Sequence, residues 1–211
     1  MKVEEPDIAG SYTYSDYMKW TVPDMMELIR GKIYKMSPAP RAVHQIVTGE
    51  VYRQIANYLK RKKCQVFIAP FDVRLPVSPK KKADKDITTV VQPDVCVVCD
   101  ASKIDERGCL GAPDWIIEVL SPRTSAKDLS IKFDVYEEAG VREYWIVHPN
   151  EQTLMVYILN ENGKYQGMLK PYIRTDTVKS ITLPELEINL EEIFQEQLYC
   201  SDVVFWEVPT Y

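Results

Sequence analysis

The sequence has no long apolar run, and none of its apolar stretches approaches the length of about 20 residues that a membrane-spanning helix needs. It also begins without the apolar region of a signal peptide, because the opening segment, MKVEEPDIAGSYTYSD, is acidic and polar. These two absences argue against a membrane protein and against secretion. We therefore expect the protein in the cytoplasm, without membrane contact.

A surplus of positive charge is absent as well, since 26 lysines and arginines face 31 aspartates and glutamates and the formal net charge is -5. This balance argues against a protein that coats nucleic acid through bulk positive charge. It does not exclude a nuclease, because active-site carboxylates are themselves negative and basic groups can be local. Basic side chains cluster at residues 60–63 and 80–85, and solvated surface is the simplest interpretation of both clusters.

The five cysteines are an odd number in a chain without a secretion signal, which predicts reduced thiols. Cys96 and Cys99 form a C-x-x-C pair, but they lie in a segment predicted to be a strand. Residues three apart on a strand point to opposite faces, so the two sulfurs are badly placed to share a metal ion. A second C-x-x-C, which would complete a zinc site, is also absent. We expect both thiols to fill the core.

The length of 211 residues predicts one domain, residues 1–211, that can bury a core without disulfides or a structural metal. A partly helical segment from Ser15 to Leu28 is followed by a hairpin that turns at Arg30-Gly31. A long helix is predicted from about Ala42 to Lys63. Its buried stripe has apolar residues at every fourth position: Val47, Val51, Ile55 and Leu59.

Strand-like segments come next, including FDVRL, VVQPDVCVV and DWIIEVL, and DASKIDERGCLGAP is predicted to connect the last two. A second helix has Thr124 or Ser125 as its N-cap and Gly140 after its end. The strand EYWIVHP and a hairpin turning at Asn162-Gly163 follow, and a short helix is expected from Leu190. This order predicts an α/β fold with a mixed sheet flanked by helices.

Two carboxylates interrupt apolar strands, Asp94 in VQPDVCVV and Glu118 in WIIEVLS. Burying a carboxylate without a partner costs several kcal/mol, so such positions normally have a cation or a hydrogen-bond network. If the two strands are neighbours, both side chains can converge on one point. Two oxygen ligands completed by water suit Mg²⁺ or Mn²⁺. The alternative is that either acid pairs with a lysine or caps a turn.

Lys132 lies early in the helix after Glu118, where it can reach back towards the ends of the strands. A lysine beside a metal-bound water can stabilise the charge that develops on a phosphate. The simpler alternative is a solvent-exposed pair with Asp128, four residues earlier.

The runs QPDVCVV and GAPDWIIEVLSPRTSAKDLSIKFDVYEEAGVREYWIVHP, together with ELIRGKIYKMSP and the helix that opens with His44, resemble the Uma-two family of the PD-(D/E)XK nuclease superfamily. The resemblance covers about residues 27–157. It implies a restriction-endonuclease-like fold with an added N-terminal hairpin and a C-terminal β-hairpin. Pro93-Asp94 corresponds to the PD element and Glu118 to the acidic member of (D/E)XK.

The superfamily pattern places a lysine at the position of Leu120, and the resemblance implies that Lys132 takes over its role. Glu27 and His44 also match family positions, and either is a candidate to complete the site. A surface acid and a polar residue at a helix start are the alternatives for these two.

The implied function is a metal-dependent endonuclease that cuts DNA with Mg²⁺ or Mn²⁺ held by Asp94 and Glu118. The lysines of residues 80–85 would contact the DNA backbone, and a homodimer would suit cutting of both strands. One alternative is an inactive nuclease-like fold that serves as a nucleic-acid or protein interaction module. The other is a carboxylate-pair hydrolase without metal, such as a glycosidase, which leaves Lys132 without a role.

Overall fold

The structure is a computed structural model that describes residues 10–20, 26–36, 41–78, 80–121 and 128–195. Its helices are α1 (Tyr14–Tyr17), α2 (Ala42–Leu59), α3 (Phe133–Ala139) and α4 (Leu190–Ile193). Its strands in the first half are β1 (Met26–Ile29), β2 (Lys32–Lys35), β3 (Gln65–Ile68), β4 (Val73–Arg74), β5 (Val90–Val91), β6 (Val95–Val98), β7 (Ile104–Asp105), β8 (Gly108–Leu110) and β9 (Trp115–Val119). Its strands in the second half are β10 (Glu143–His148), β11 (Thr153–Leu159), β12 (Tyr165–Gly167), β13 (Tyr172–Ile173), β14 (Thr177–Lys179) and β15 (Glu187–Asn189).

The centre of the molecule is a seven-stranded mixed sheet with the order β12-β11-β10-β9-β6-β3, in which β13 also pairs with β11. β10 runs parallel to β9, and the chain between them crosses over through residues 128–139. The other pairs in this sheet are antiparallel. The predicted mixed sheet and the hairpin β11–β12 are thereby confirmed.

Every residue of β6 and β9 is buried, because both faces of the sheet are covered. The α2 helix covers one face with its stripe of Val47, Val51, Ile55 and Leu59, as the four-residue spacing predicts. The predicted end of this helix near Lys63 is wrong, because the helix ends at Leu59 and the basic residues 60–63 follow it. The opposite face packs against α3, through Val135 and Tyr136.

A second sheet, with the order β2-β1-β5-β4-β8-β7, joins the first at Gln92-Pro93-Asp94. The sequence predicts one strand over VVQPDVCVV, and the structure divides it into β5 in the second sheet and β6 in the first. Proline has no N–H to donate to a ladder, which explains a break at Pro93. The chain therefore places Asp94 where the two sheets meet.

The hairpin β1–β2 turns at Arg30-Gly31 as predicted, and both residues have positive φ, 50° and 78°. Leu28 belongs to β1, so the helical prediction for the end of the Ser15–Leu28 segment is wrong. Pairing of β1 with β2 and β5 overrides the local helical pattern there. Pro23 lies outside the described residues.

The connection predicted between the last two central strands contains the short hairpin β7–β8. β8 also pairs in parallel with β4. This pairing with a strand distant in sequence explains why a segment that contains glycine forms a strand.

The helix after β9 begins with a π-helical turn, Asp128–Lys132, and continues as α3. Gly140 ends it with a φ of 83°, and its N–H donates to the carbonyls of Tyr136 and Glu137, which confirms the predicted C-terminal glycine. The two N-cap candidates, Thr124 and Ser125, lie outside the described residues.

The prediction of reduced thiols is wrong for Cys64 and Cys99, which form a disulfide. Cys64 precedes β3 and Cys99 follows β6, and the register Gln65↔Val98 brings the two flanking residues side by side. Cys96 and Cys109 are free and buried. Cys96 and Cys99 belong to the cores on opposite faces of the sheet, as the strand argument predicts.

The predicted short helix at Leu190 is α4, and it packs against α2. The apolar tail VVFWEVPTY lies outside the described residues. Among the residues that are described, no helix combines the length and the apolar character that crossing a membrane requires.

Candidate functional site

Asp94 and Glu118 lie on neighbouring strands of the central sheet. The register of β6 and β9 pairs Val95 with Ile117, and continuing it by one residue places Asp94 opposite Glu118. The N–H of Val119 donates to Asp94 Oδ2 over 2.7 Å, which ties the first carboxylate to the backbone beside the second. The two strands are therefore neighbours, which is the condition on which the predicted convergence of the two acids depends.

Lys132 connects two carboxylates of this region. Its Nζ lies 2.9 Å from Glu118 Oε1 and 2.9 Å from Glu27 Oε1. Lys132 and Glu118 are each 4% exposed and Glu27 is 2% exposed, so all three charges are buried. The alternative of a solvent-exposed pair with Asp128 is therefore wrong, because the Lys132 side chain points into the core between the sheets.

Glu27 reaches the site from β1 in the second sheet. Its Oε1 accepts the N–H of Gln92 over 2.9 Å in addition to the contact with Lys132. The alternative interpretation as a surface acid is wrong. The hydrogen bond to Gln92 links Glu27 to the strand break that positions Asp94, two residues further along the chain.

His44 lies in the first turn of α2, with Nε2 at 3.4 Å from Asp94 Oδ2. On its other side, Thr48 Oγ1 lies 3.5 Å from His44 Nδ1. The side chains of His44 and Asp94 are 14% and 18% exposed, against 5% or less for Lys132 and Glu118. Solvent therefore reaches the site from the His44–Asp94 side.

Tyr136 is the member of this cluster that the sequence did not reveal. It is fully buried, and its hydroxyl donates to Glu118 Oε1 over 2.6 Å. Burial, followed by the negative charges of Glu118 and Glu27, raises the pKa of the Tyr136 phenol well above its ordinary value. In the sequence it belongs to the apolar stripe of the helix, and only its spacing of four from Lys132 could have indicated a shared face.

The charges of the cluster suit a divalent cation. Lys132 contacts the carboxylates of Glu27 and Glu118, and the Asp94 carboxylate lies on the strand next to Glu118. Carboxylate oxygens are the ligands that Mg²⁺ prefers. Within the described ranges the structure does not gather three or more His, Cys, Asp or Glu side chains in a geometry that could hold a metal ion. Mg²⁺ does not require such a set, since it is commonly held by one or two carboxylates and several waters. Asp94 and Glu118 are the two carboxylates on neighbouring strands that could provide such a smaller donor set.

Comparison with known proteins gives three similarities. The model of the Uma2 family, described as "Putative restriction endonuclease", matches residues 14–191. An uncharacterized protein of Synechocystis sp., slr1290, is 24% identical over 153 residues, which are 71% of this chain and 75% of that protein. A crystal structure from Anabaena variabilis, described as a putative nuclease belonging to DUF820, superposes with a TM-score of 0.64 at 23% identity and covers 87% of this chain and 97% of its own. The fold is therefore the restriction-endonuclease-like α/β fold.

Proposed function

Because the chain belongs to the Uma2 family, we propose that it is a metal-dependent endonuclease that hydrolyses phosphodiester bonds in DNA. The observation that carries the proposal is the buried bridge of Lys132 between Glu27 and Glu118, next to Asp94 on the adjoining strand. A buried lysine between two carboxylates is costly as a purely structural feature, since apolar residues of similar volume often stabilise a core as well or better.

Each residue has a part in the proposed mechanism. Asp94 and Glu118 would hold Mg²⁺ or Mn²⁺ together with the Val119 carbonyl, and the bound ion would polarise the phosphate and lower the pKa of a coordinated water. Lys132 would stabilise negative charge on the attacking side. Glu27 keeps the ammonium group of Lys132 in position through the 2.9 Å contact. His44 contacts Asp94 from the accessible side and would orient that carboxylate.

The experiment that tests the proposal is cleavage of supercoiled and linear DNA with Mg²⁺, with Mn²⁺ or with EDTA. Asp94→Ala and Glu118→Ala are measured beside the unchanged protein. We expect nicking that depends on the metal ion and that falls by at least about 100-fold in both variants, since each removes a ligand of the ion that activates the water. Glu50→Gln is the control, because Glu50 is an acid on α2 whose partner is Arg53, and it should cleave normally.

The outcomes separate the proposal from the interaction module. Binding of divalent metal and DNA without cleavage would favour the module. Absence of metal binding would overturn the site itself. Cleavage that persists in EDTA would overturn the metal dependence.

We further propose that the enzyme acts as a two-fold dimer, because two sites related by symmetry can address the two strands of a duplex. Light scattering with and without a DNA duplex checks this. The dimer proposal would be contradicted if the protein stayed monomeric in the presence of the duplex and still cut both strands in a single encounter.

A further inference from the structure

Tyr136 stands in a fixed position beside Glu118. Its ring packs edge-to-face against Tyr144, with 5.1 Å between the ring centroids, and the residue is fully buried in the core on that face of the sheet. Its hydroxyl lies 2.6 Å from Glu118 Oε1, a short distance that is typical of an O–H donor and a charged acceptor.

Two donors on one helix converge on the same carboxylate oxygen. Lys132 and Tyr136 are four residues apart, which places them on the same side of the helix. Both contact Oε1 of Glu118, at 2.9 Å and 2.6 Å. Lys132 divides its contacts between Glu118 and Glu27, whereas the hydrogen bond of the Tyr136 hydroxyl goes to Glu118.

The two donors differ in how they would respond to a cation. The ammonium group of Lys132 carries a positive charge, which repels a divalent cation at the same carboxylate. A phenol that keeps its proton is neutral, so it can hold the carboxylate without such repulsion.

We propose that Tyr136 is a positioning residue of the nuclease site, whose hydroxyl fixes the Glu118 carboxylate for the metal ion. The proposal rests on the proposed function and adds a residue that acts through Glu118. The competing explanation is that the phenol is a buried polar group that needs some acceptor, in which case its removal changes stability alone.

Tyr136→Phe in the full chain separates the two explanations, because it removes the hydroxyl and keeps the ring. Binding of Mn²⁺ alone is measured by calorimetry, and cleavage is measured over a range of Mg²⁺ concentrations. We expect metal affinity to fall by roughly 10- to 100-fold, the usual effect of removing a group that orients a ligand. Cleavage at saturating metal should recover to within a few-fold of the unchanged protein.

Tyr165→Phe is the matched control. Tyr165 belongs to the same aromatic cluster, and its hydroxyl donates to the Val141 carbonyl over 2.9 Å, away from Glu118. It should lose stability without any change in metal affinity. Equal metal affinity in Tyr136→Phe and in the unchanged protein would overturn the inference, and so would equal losses in both phenylalanine variants.

A crystal structure of the unchanged protein with Mn²⁺ provides a test that does not depend on how a variant folds. The contact between the Tyr136 hydroxyl and Glu118 should persist with the ion bound, and its loss would overturn the inference. Failure of the proposed function is distinguishable, because then the unchanged protein itself does not cleave DNA, whatever the metal affinity of the two phenylalanine variants.

Discussion

The Nζ atom of Lys132 lies 2.9 Å from an oxygen of Glu27 and 2.9 Å from an oxygen of Glu118, so that one positive charge serves two buried carboxylates. Taking such groups out of water costs several kcal/mol per ion, and their mutual attraction offsets this only while all partners are present. The stability of this region and its proposed chemistry therefore involve the same side chain.

Replacing Lys132 by methionine tests this dependence. The variant leaves Glu27 and Glu118 buried without their shared cation, and we expect the free energy of unfolding to fall by about 3 to 5 kcal/mol. Mg²⁺ should raise the stability of the variant more than that of the unchanged protein, because the ion replaces the missing positive charge. Urea unfolding with and without Mg²⁺ measures both effects.

Lys164→Met is the control for this prediction. Lys164 also pairs with a glutamate, Glu137, at 2.6 Å, but its side chain is 70% exposed. Its loss should change stability far less, since solvent screens an exposed pair. A similar, small effect in both variants would contradict the view that Lys132 balances buried charge.

The sequence reveals residues of this site unevenly. Asp94 and Glu118 stand out because a carboxylate within an apolar strand needs a partner. Lys132 could be identified only by resemblance, since a lysine in a helix is ordinarily a surface residue. Tyr136 could not be identified, because the position of a tyrosine in an apolar stripe does not show what its hydroxyl contacts.

At the scale of elements, the ladder between β3 and β6 spans from a disulfide to the candidate site. Cys64 and Cys99 join the strands at one end, beside the pair Gln65↔Val98. At the other end, the N–H of Ala69 donates to the carbonyl of Asp94 over 3.0 Å. The disulfide therefore fastens the edge strand that supports the backbone of Asp94.

Reduction of this disulfide should lower stability. The bond closes a loop of 35 residues, and the chain-entropy relation gives about 4 kcal/mol for a loop of that length. Guanidinium unfolding with and without dithiothreitol measures the difference. The double variant Cys64→Ser/Cys99→Ser is the control and should unfold like the reduced protein with and without dithiothreitol. The prediction would be refuted if dithiothreitol left the unfolding midpoint of the unchanged protein where it was.

Elements were predictable where the local pattern and the long-range contacts agree. The stripe of α2 follows from its four-residue spacing, and the turn at Arg30-Gly31 follows from the glycine. The division of one predicted strand at Pro93 depends on a second sheet, which local periodicity does not reveal. The hairpin β7–β8 and the disulfide likewise depend on partners that are distant in sequence.

At the scale of the whole molecule, the two basic clusters, residues 60–63 and 80–85, differ in how close the fold brings them to the candidate site. The residues 60–63 follow the C-terminal end of α2, whereas His44 lies in its first turn. With a rise of about 1.5 Å per residue, the helix separates Lys60 from His44 by about 24 Å. The exposed lysines of residues 80–85 belong to the loop that leads into β5, and β5 is followed directly by Gln92 and the strand break at Asp94.

This arrangement predicts which cluster contacts DNA. Changing Lys80, Lys81, Lys82 and Lys85 together to glutamine should reduce the slope of log affinity against log salt by up to about 3 to 4, because each phosphate contact contributes about 0.9. The matched control changes Lys60, Arg61, Lys62 and Lys63 to glutamine and removes the same amount of charge. DNA affinity of both variants is measured between low and moderate salt, with Ca²⁺ in place of Mg²⁺ to prevent cleavage. Equal slopes for the two variants would contradict the prediction. They would mean that the lysines of residues 80–85 affect DNA binding only through the total charge of the protein, which is -5, and not through contacts with phosphates.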